Sequence, residues 1–262
     1  MITKMKKTIR KHFDIEGYYL SEGLFSKSQT RLFEKEYDRI VRQIQLTNEN
    51  TNARWGSKLT KNIEDKKSVV LHTHNVQSFS STMLNMIQNK DFLDIVESII
   101  GPDIILHHTK LFMKPPRIGS AFPLHQDWSY FPTEKNSMIA AVVHLSNSDE
   151  KMGCLRLIPK SHKLGKIKSS DGHTWNNQIH KKYRLQSAFP IIAKKGDVLF
   201  FHSCTIHGSL ANTSPYKRKT VLIQLYSGKD KITDKNDHTN LQLVLRGWNQ
   251  SATRNSVSDI FG

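Results

Sequence analysis

Acidic residues are scarce in this chain. Against 23 Asp and Glu stand 39 Lys and Arg, a formal net charge of +16 over 262 residues. A field of that sign attracts anions in general. The basic residues are spread along the sequence rather than gathered in one helix or tail, so an acidic small molecule is expected as partner rather than a nucleic-acid polymer. Cysteine is scarcer still, only Cys154 and Cys204. Two thiols make no disulfide framework, which argues against the stapled secreted scaffolds and for a reducing cytoplasm. No apolar run approaches the roughly 20 residues that span a bilayer, so no membrane span is expected. The basic start lacks the apolar stretch of a secretory signal, and the closing Asp259-Ile260-Phe261-Gly262 is not a peroxisomal Ser-Lys-Leu address. No internal repeat or Pro/Gly/Ser linker divides the sequence, so one domain over 1–262 is expected.

What is present sorts into two textures. Ser26 and Gln29 form a capping-box pattern, and Phe33, Tyr37, Ile40, Val41 and Ile44 follow at helical spacing. A polar loop is expected over 48–67. A second helix, capped by Asp91, should carry Phe92, Val96, Ile99 and Ile100 inward and stop at Gly101-Pro102. Beyond it come short apolar or alternating runs at 104–113, 138–145, 154–158, 198–201 and 220–226. Turn signals separate them at Pro115-Pro116, Lys151-Met152-Gly153, Lys195-Gly196-Asp197 and 212–215. Short strands with turns between them indicate a sandwich or barrel, with the preceding helices on one outer face. The expected layout is a mainly helical part over 1–102, a barrel core over 103–228 and a C-terminal extension over 229–262. The stretch 160–188 is long, polar and rich in Lys and His, and a loop of that length in a compact domain is usually functional or disordered.

The chemistry concentrates in Leu124-His125-Gln126-Asp127-Trp128. On a strand, residues two apart point the same way, so His125 and Asp127 can reach one metal together. Thirteen histidines compete for the third position. His207 is favoured because His-Gly-Ser follows the apolar strand at 198–201, which can set an imidazole at a barrel mouth. His107, His108, His144, His162 and His202 read better as surface or satisfied core residues. Two imidazoles and one carboxylate with open positions suit a non-haem iron(II) oxygenase. Such an enzyme using 2-oxoglutarate also needs a cation for the far carboxylate of that cosubstrate, and arginine binds carboxylate bidentately. Arg218 lies eleven residues after His207. A hairpin of that length would return it to the same cavity, where Ser209 could add a hydroxyl.

The same residues carry a resemblance to the phytanoyl-CoA dioxygenase family. It rests on Lys114-Pro115-Pro116, Pro123-Leu124-His125-Gln126-Asp127, Tyr130-Phe131-Pro132, Gly153-Cys154-Leu155, Ile158-Pro159 and Ser161-His162-Lys163. Lys195-Gly196-Asp197, Phe200-Phe201-His202, Ile206-His207-Gly208-Ser209, Asn212 and Arg218 complete it, over roughly 104–226. The resemblance implies a mainly β fold, the double-stranded β-helix or cupin-like jelly-roll, with helices packed on one face. It implies His125, Asp127 and His207 as iron(II) ligands and Arg218 as the 2-oxoglutarate anchor. Lys110 and Gln126 match positions lining the cosubstrate pocket, and Val143 stands where some members carry an aromatic residue near it. The segment 160–188 matches the family's variable substrate-covering region, where Lys163, Lys166, Lys168, Lys181, Lys182 and Arg184 would meet an anionic substrate and Trp175 would pack on a flat or greasy part of it; the alternative is that these lysines form a solvated loop. The implied reaction consumes dioxygen and 2-oxoglutarate, hydroxylates an unactivated C–H and releases succinate and carbon dioxide. The rival reading is a non-catalytic or cosubstrate-independent cupin-type metal-binding protein, which would need no Arg218.

Overall fold

The computed structural model describes residues 2–47, 71–168, 170–171, 178–233 and 240–252. The expected loop at 48–67 lies outside them, as does Trp175. Five helices are described: α1 (Ile2–Glu16), α2 (Lys27–Leu46), α3 (Ser81–Ile87), α4 (Lys90–Ile100) and α5 (Gln178–Lys182). Eleven strands are described: β1 (Tyr18–Ser21), β2 (Leu71–His74), β3 (Ile104–Lys114), β4 (Phe122–His125), β5 (Ile139–His144), β6 (Leu155–Leu157), β7 (Phe189–Pro190), β8 (Val198–His202), β9 (His207–Ser209), β10 (Arg218–Ser227) and β11 (Leu243–Arg246).

The strands form two antiparallel sheets. The larger runs β1-β8-β5-β10-β3-β11, with β2 also paired to β3, and the smaller runs β4-β9-β6-β7. This is the jelly-roll expected from the sequence, with additions at the large sheet's edges. β1 and β2 come from the N-terminal part expected to be mainly helical, and β11 comes from the C-terminal extension.

Alternation along the large sheet's strands builds two cores at once. On β5, β8 and β10 the outward set Ile139, Ala141, Val143, Val198, Phe200, Val221, Ile223 and Leu225 packs with helical Phe33, Tyr37, Ile40, Phe92 and Val96. The inward set includes Ala140, Val142, Leu199, Phe201 and Leu222, which face Leu155 and Leu157 of the small sheet. Burial on both faces explains why these strands read as unbroken apolar runs. α2 is held as its sequence foretells, with Ser26 accepting from the Gln29 amide and Gln29 reaching back to the Ser26 amide. Tyr37 then donates to the Phe112 carbonyl at 2.6 Å, pinning the helix to β3.

Three local expectations change. Asn89, not Asp91, caps α4, its Oδ1 accepting from the amides of Asp91 and Phe92. Asp91 sits in the first turn, where its charge still suits the helix dipole. Arg218 does not return on a hairpin from His207. The chain leaves β9 in the small sheet and crosses to β10 in the large one, so the two residues approach the cavity from opposite walls. Val143 faces the helical core, and its neighbour Val142 lines the cavity instead.

Candidate active site

A cavity of about 270 Å³ lies between the two sheets. β3 contributes His108, Lys110 and Phe112 at alternate positions, and β10 contributes Arg218, Thr220 and Leu222 in the same way. His125, His207 and Ser209 come from the small sheet, Asp127 from just beyond β4.

His125, Asp127 and His207 are all buried, and each offers one ligand atom, all within 4.8 Å of one another. The strand rule places His125 at the end of β4, while Asp127 opens the short 3₁₀ turn Asp127–Ser129. Extended backbone at Gln126 keeps both side chains on one side. Asp127 Oδ1 is 3.6 Å from His125 Nε2 and 3.5 Å from His207 Nε2. The outer ring nitrogens are committed: His125 Nδ1 donates to the Pro123 carbonyl at 2.8 Å, and His207 Nδ1 to the Thr205 carbonyl at 2.9 Å. Those bonds fix the tautomer with the lone pair on Nε2, the form a metal needs. Burial pushes the His207 pKa down to about 4, so it stays neutral near pH 7. Burial raises the Asp127 pKa, with His125, Gln224 and Lys110 acting against that shift. Two imidazole lone pairs and a carboxylate oxygen therefore converge, an arrangement that a divalent cation would relieve. The donor set fits a metal such as iron(II), and leaves part of the coordination shell open.

At the other end of the cavity stands Arg218, buried on all sides. One guanidinium nitrogen donates to the Gly153 carbonyl, while Nε has no partner. Among the described residues no carboxylate forms an ion pair with it, and burial lowers its pKa to about 10, still charged at neutral pH. A buried guanidinium lacking an anion is costly, and a ligand carboxylate would satisfy it. Ser209 lines the same end, its Oγ accepting from Lys114 Nζ at 2.7 Å. Lys110 lines the cavity with its pKa pushed down to about 8 by burial, Asp127 acting against the shift.

Gln126 departs from its expected place. Flanked by two inward residues, it points outward and does not line the cavity. Its Nε2 donates to the Cys204 and Gly165 carbonyls, and its Oε1 accepts from Trp128 Nε1 and the Ile167 amide. The Gln126 amide itself donates to the Ser170 carbonyl. The stretch 160–188 also differs from expectation. Among its described residues none lines the cavity; Ile179, Leu185 and Ala188 pack behind β4 and β9 against Leu124 and Ile206. Lys166 is tied to the Thr133 carbonyl and lies over the Trp128 ring.

Three residues near the cavity escaped sequence reading. His108 lines it, although it reads as background among thirteen histidines. Lys114 is fully buried behind Ser209, and Gln224 hydrogen-bonds to Asp127. All three share the parity of their strand's inward residues, which was the available signal. His144 is buried in the core and His202 is part-buried, and burial lowers the pKa of each to about 4.

A jelly-roll that closes two histidines and one carboxylate around a common point, with a buried arginine across the cavity, defines a metal-dependent class of cupin-like protein. Within that class the chain belongs to the phytanoyl-CoA dioxygenase family, whose profile matches residues 13–220. The bovine peroxisomal phytanoyl-CoA dioxygenase is 29% identical over 229 residues, covering 81% of this chain and 66% of that protein. This chain therefore spans just under two thirds of that relative's length. Ectoine dioxygenase of Bordetella parapertussis is 24% identical, covering 80% of this chain and 72% of the relative. Among solved structures, the epimerase SnoN in complex with Fe3+, alpha ketoglutarate and nogalamycin RO superposes with a TM-score of 0.73. It is 16% identical and covers 93% of this chain and 100% of its own. Iron-bound EctD from S. alaskensis gives a TM-score of 0.69 at 18% identity, covering 90% of this chain and 85% of its own.

Proposed function

We propose that this protein is an iron(II)- and 2-oxoglutarate-dependent oxygenase that hydroxylates an unactivated C–H of a small organic substrate. The observation that carries it is the buried Arg218, without a carboxylate partner among the described residues, facing the His125–Asp127–His207 cluster across one cavity. A cupin-type protein working without cosubstrate would leave that charge buried to no purpose. His125, Asp127 and His207 would hold the iron, Arg218 with Ser209 would orient the far carboxylate of 2-oxoglutarate, and Lys110 would border the cosubstrate. When bound, iron and cosubstrate supply the oxidising power: dioxygen, 2-oxoglutarate and R–H give succinate, carbon dioxide and R–OH. The chain's own task is to position the reactants and keep water out, for which Phe122, Phe131, Leu155, Phe201 and Leu222 wall the cavity.

The substrate in this reading carries an anionic group. Support comes from the +16 charge and from Lys110, the lysine that lines the cavity. If a field steers the substrate, kcat/KM should fall with added salt, since exposed charges are screened over about 8–10 Å. We read the chain as one domain, because β11 and β1 join the same sheet that carries Arg218. Its two free, buried thiols fit a reducing compartment such as the cytoplasm. Among the described residues no helix is long and apolar enough to cross a membrane.

The test is anaerobic loading with iron(II) and 2-oxoglutarate, followed by exposure to oxygen and measurement of succinate. The parent should show the visible charge-transfer absorption of the iron–2-oxoglutarate chelate and release succinate, and Asp127→Ala should do neither. A parent with neither signal would overturn the reading.

A further inference from the structure

Gln224 stands on the cavity side of β10, at the same parity as Arg218, Thr220 and Leu222. It is fully buried, and the Asp127 carboxylate it meets is buried as well. Its Nε2 donates to Asp127 Oδ2 at 2.8 Å. The other oxygen, Oδ1, is the one that faces His125 Nε2 and His207 Nε2. The orientation of the amide is fixed by chemistry, because a carboxylate only accepts. Gln224 Oε1 is thereby left buried with no partner. A buried amide oxygen without a partner is unfavourable, so the contact to Asp127 is kept against a local penalty.

The backbone is shaped at the same point. On β3 the partners jump from His108, opposite Gln224, to Leu106, opposite Leu225, leaving His107 as an extra residue. Bulges of this type occur beside active sites, where they re-aim a side chain. Here the irregularity falls at the β10 residue that hydrogen-bonds to a candidate metal ligand.

We propose that Gln224 is a positioning residue that holds Asp127 to a single metal-facing oxygen. A carboxylate with both oxygens free can bind a cation through both and so occupy two coordination positions. With Oδ2 engaged by an amide N–H in a dry site, only Oδ1 is presented. Two imidazoles and one carboxylate oxygen would then hold the ion while leaving the rest of its coordination shell open to the cosubstrate. Gln224 thus guards the vacancy on which the proposed reaction depends, without touching substrate, and the inference rests on that reading of the site.

The experiment compares the parent with Gln224→Leu, which removes the donor at similar volume, and Gln224→His, which can restore an N–H. Iron(II) binding and the iron–2-oxoglutarate charge-transfer absorption are titrated anaerobically. Gln224→Leu should retain iron(II) but shift or lose the absorption, with kcat/KM for 2-oxoglutarate falling about 10- to 100-fold, the usual cost of losing a ligand's supporting hydrogen bond. Gln224→His should recover the parent's absorption. Parent-like absorption and kinetics in a folded Gln224→Leu would overturn the proposal. Absence of the absorption in the parent would instead indict the site itself. A crystal structure of the parent with manganese(II) and 2-oxoglutarate needs no variant to fold. Asp127 bound through one oxygen, with Gln224 on the other, supports the proposal, and binding through both refutes it.

Discussion

Arg218 and Lys219 are neighbours on β10 and face opposite sides of one sheet. Lys219 reaches the helical side, where Nζ pairs with Glu34 at 2.9 Å and Asp38 at 2.8 Å on α2. Arg218 reaches the cavity side and meets no carboxylate among the described residues. The same division runs along β3 and β10, the strands that border the cavity. The helical face is apolar and its charges are matched. The cavity face carries His108, Lys110 and Arg218, which look across to Asp127 and His207 on the opposite wall. One face lowers the free energy of the folded chain, while the other holds groups whose cost is offset only by a ligand. Stability and function are thus separated by a single residue step along a strand.

The sharpest way to break this comparison is on the helical face. Phe200 is fully buried against Phe92, ring centroids 5.7 Å apart. Phe200→Ala should cost about 3–5 kcal/mol of unfolding free energy, read from urea denaturation. A loss below about 1 kcal/mol would show that this face is not the stabilising one.

On the cavity face Arg218→Ala should behave in the opposite manner. Losing a buried charged hydrogen bond should weaken 2-oxoglutarate binding by roughly 2–5 kcal/mol, tens- to thousands-fold in KM. The ligand-free protein should unfold no more readily than the parent, because a buried unpaired charge has gone. An unchanged KM would place Arg218 outside the cosubstrate site.

Acid should distinguish the faces through buried histidine. His144, His202 and His207 have folded pKa values of about 4 against an ordinary 6.5, each pushed down mainly by burial. Between those values the unfolded chain binds more protons than the folded one, so stability falls as pH drops from 6.5 toward 4. Each histidine contributes on the order of 3 kcal/mol to the total lost across that window. Removing His144 by His144→Gln should flatten the pH dependence of unfolding measured without metal, and an unaltered slope would contradict its neutrality. The smallest effect is expected from Lys219→Ala, about 1 kcal/mol or less in stability, as for other partly exposed ion pairs, with KM unchanged.

Much of this division could be read from the sequence, and the failures have a common cause. The five runs read as strands after Pro102 became β3, β5, β6, β8 and β10, because their burial on both faces writes itself as continuous hydrophobicity. The α2 start was legible in Ser26 and Gln29. α1 was not read, although Ile9 and Phe13 are buried at helical spacing. Its basic residues drew the attention that its apolar face deserved. At the site, family likeness carried positions but not directions. Gln126 and Val143 were assigned to the cavity, yet each points away from it. Parity corrects both, since Gln126 lies between two inward residues and Val143 is one step from Val142. The crossing between sheets that brings Arg218 opposite His207 depends on tertiary topology, which a spacing of eleven residues does not encode.

The moorings of Gln126 have a consequence for how this architecture can diverge. The side chain between the two candidate ligands grips the segment after Ser161 through Gly165 O and Ile167 N, ties it to Cys204 O ahead of β9, and its own amide donates to Ser170 O. Every one of those partners is main chain, a group that any amino acid supplies. The segment can therefore exchange its side chains while remaining fastened beside the candidate metal ligands by the same three bonds to Gly165, Ile167 and Ser170. A loop held in this way is free to drift in sequence without disturbing the cluster it borders.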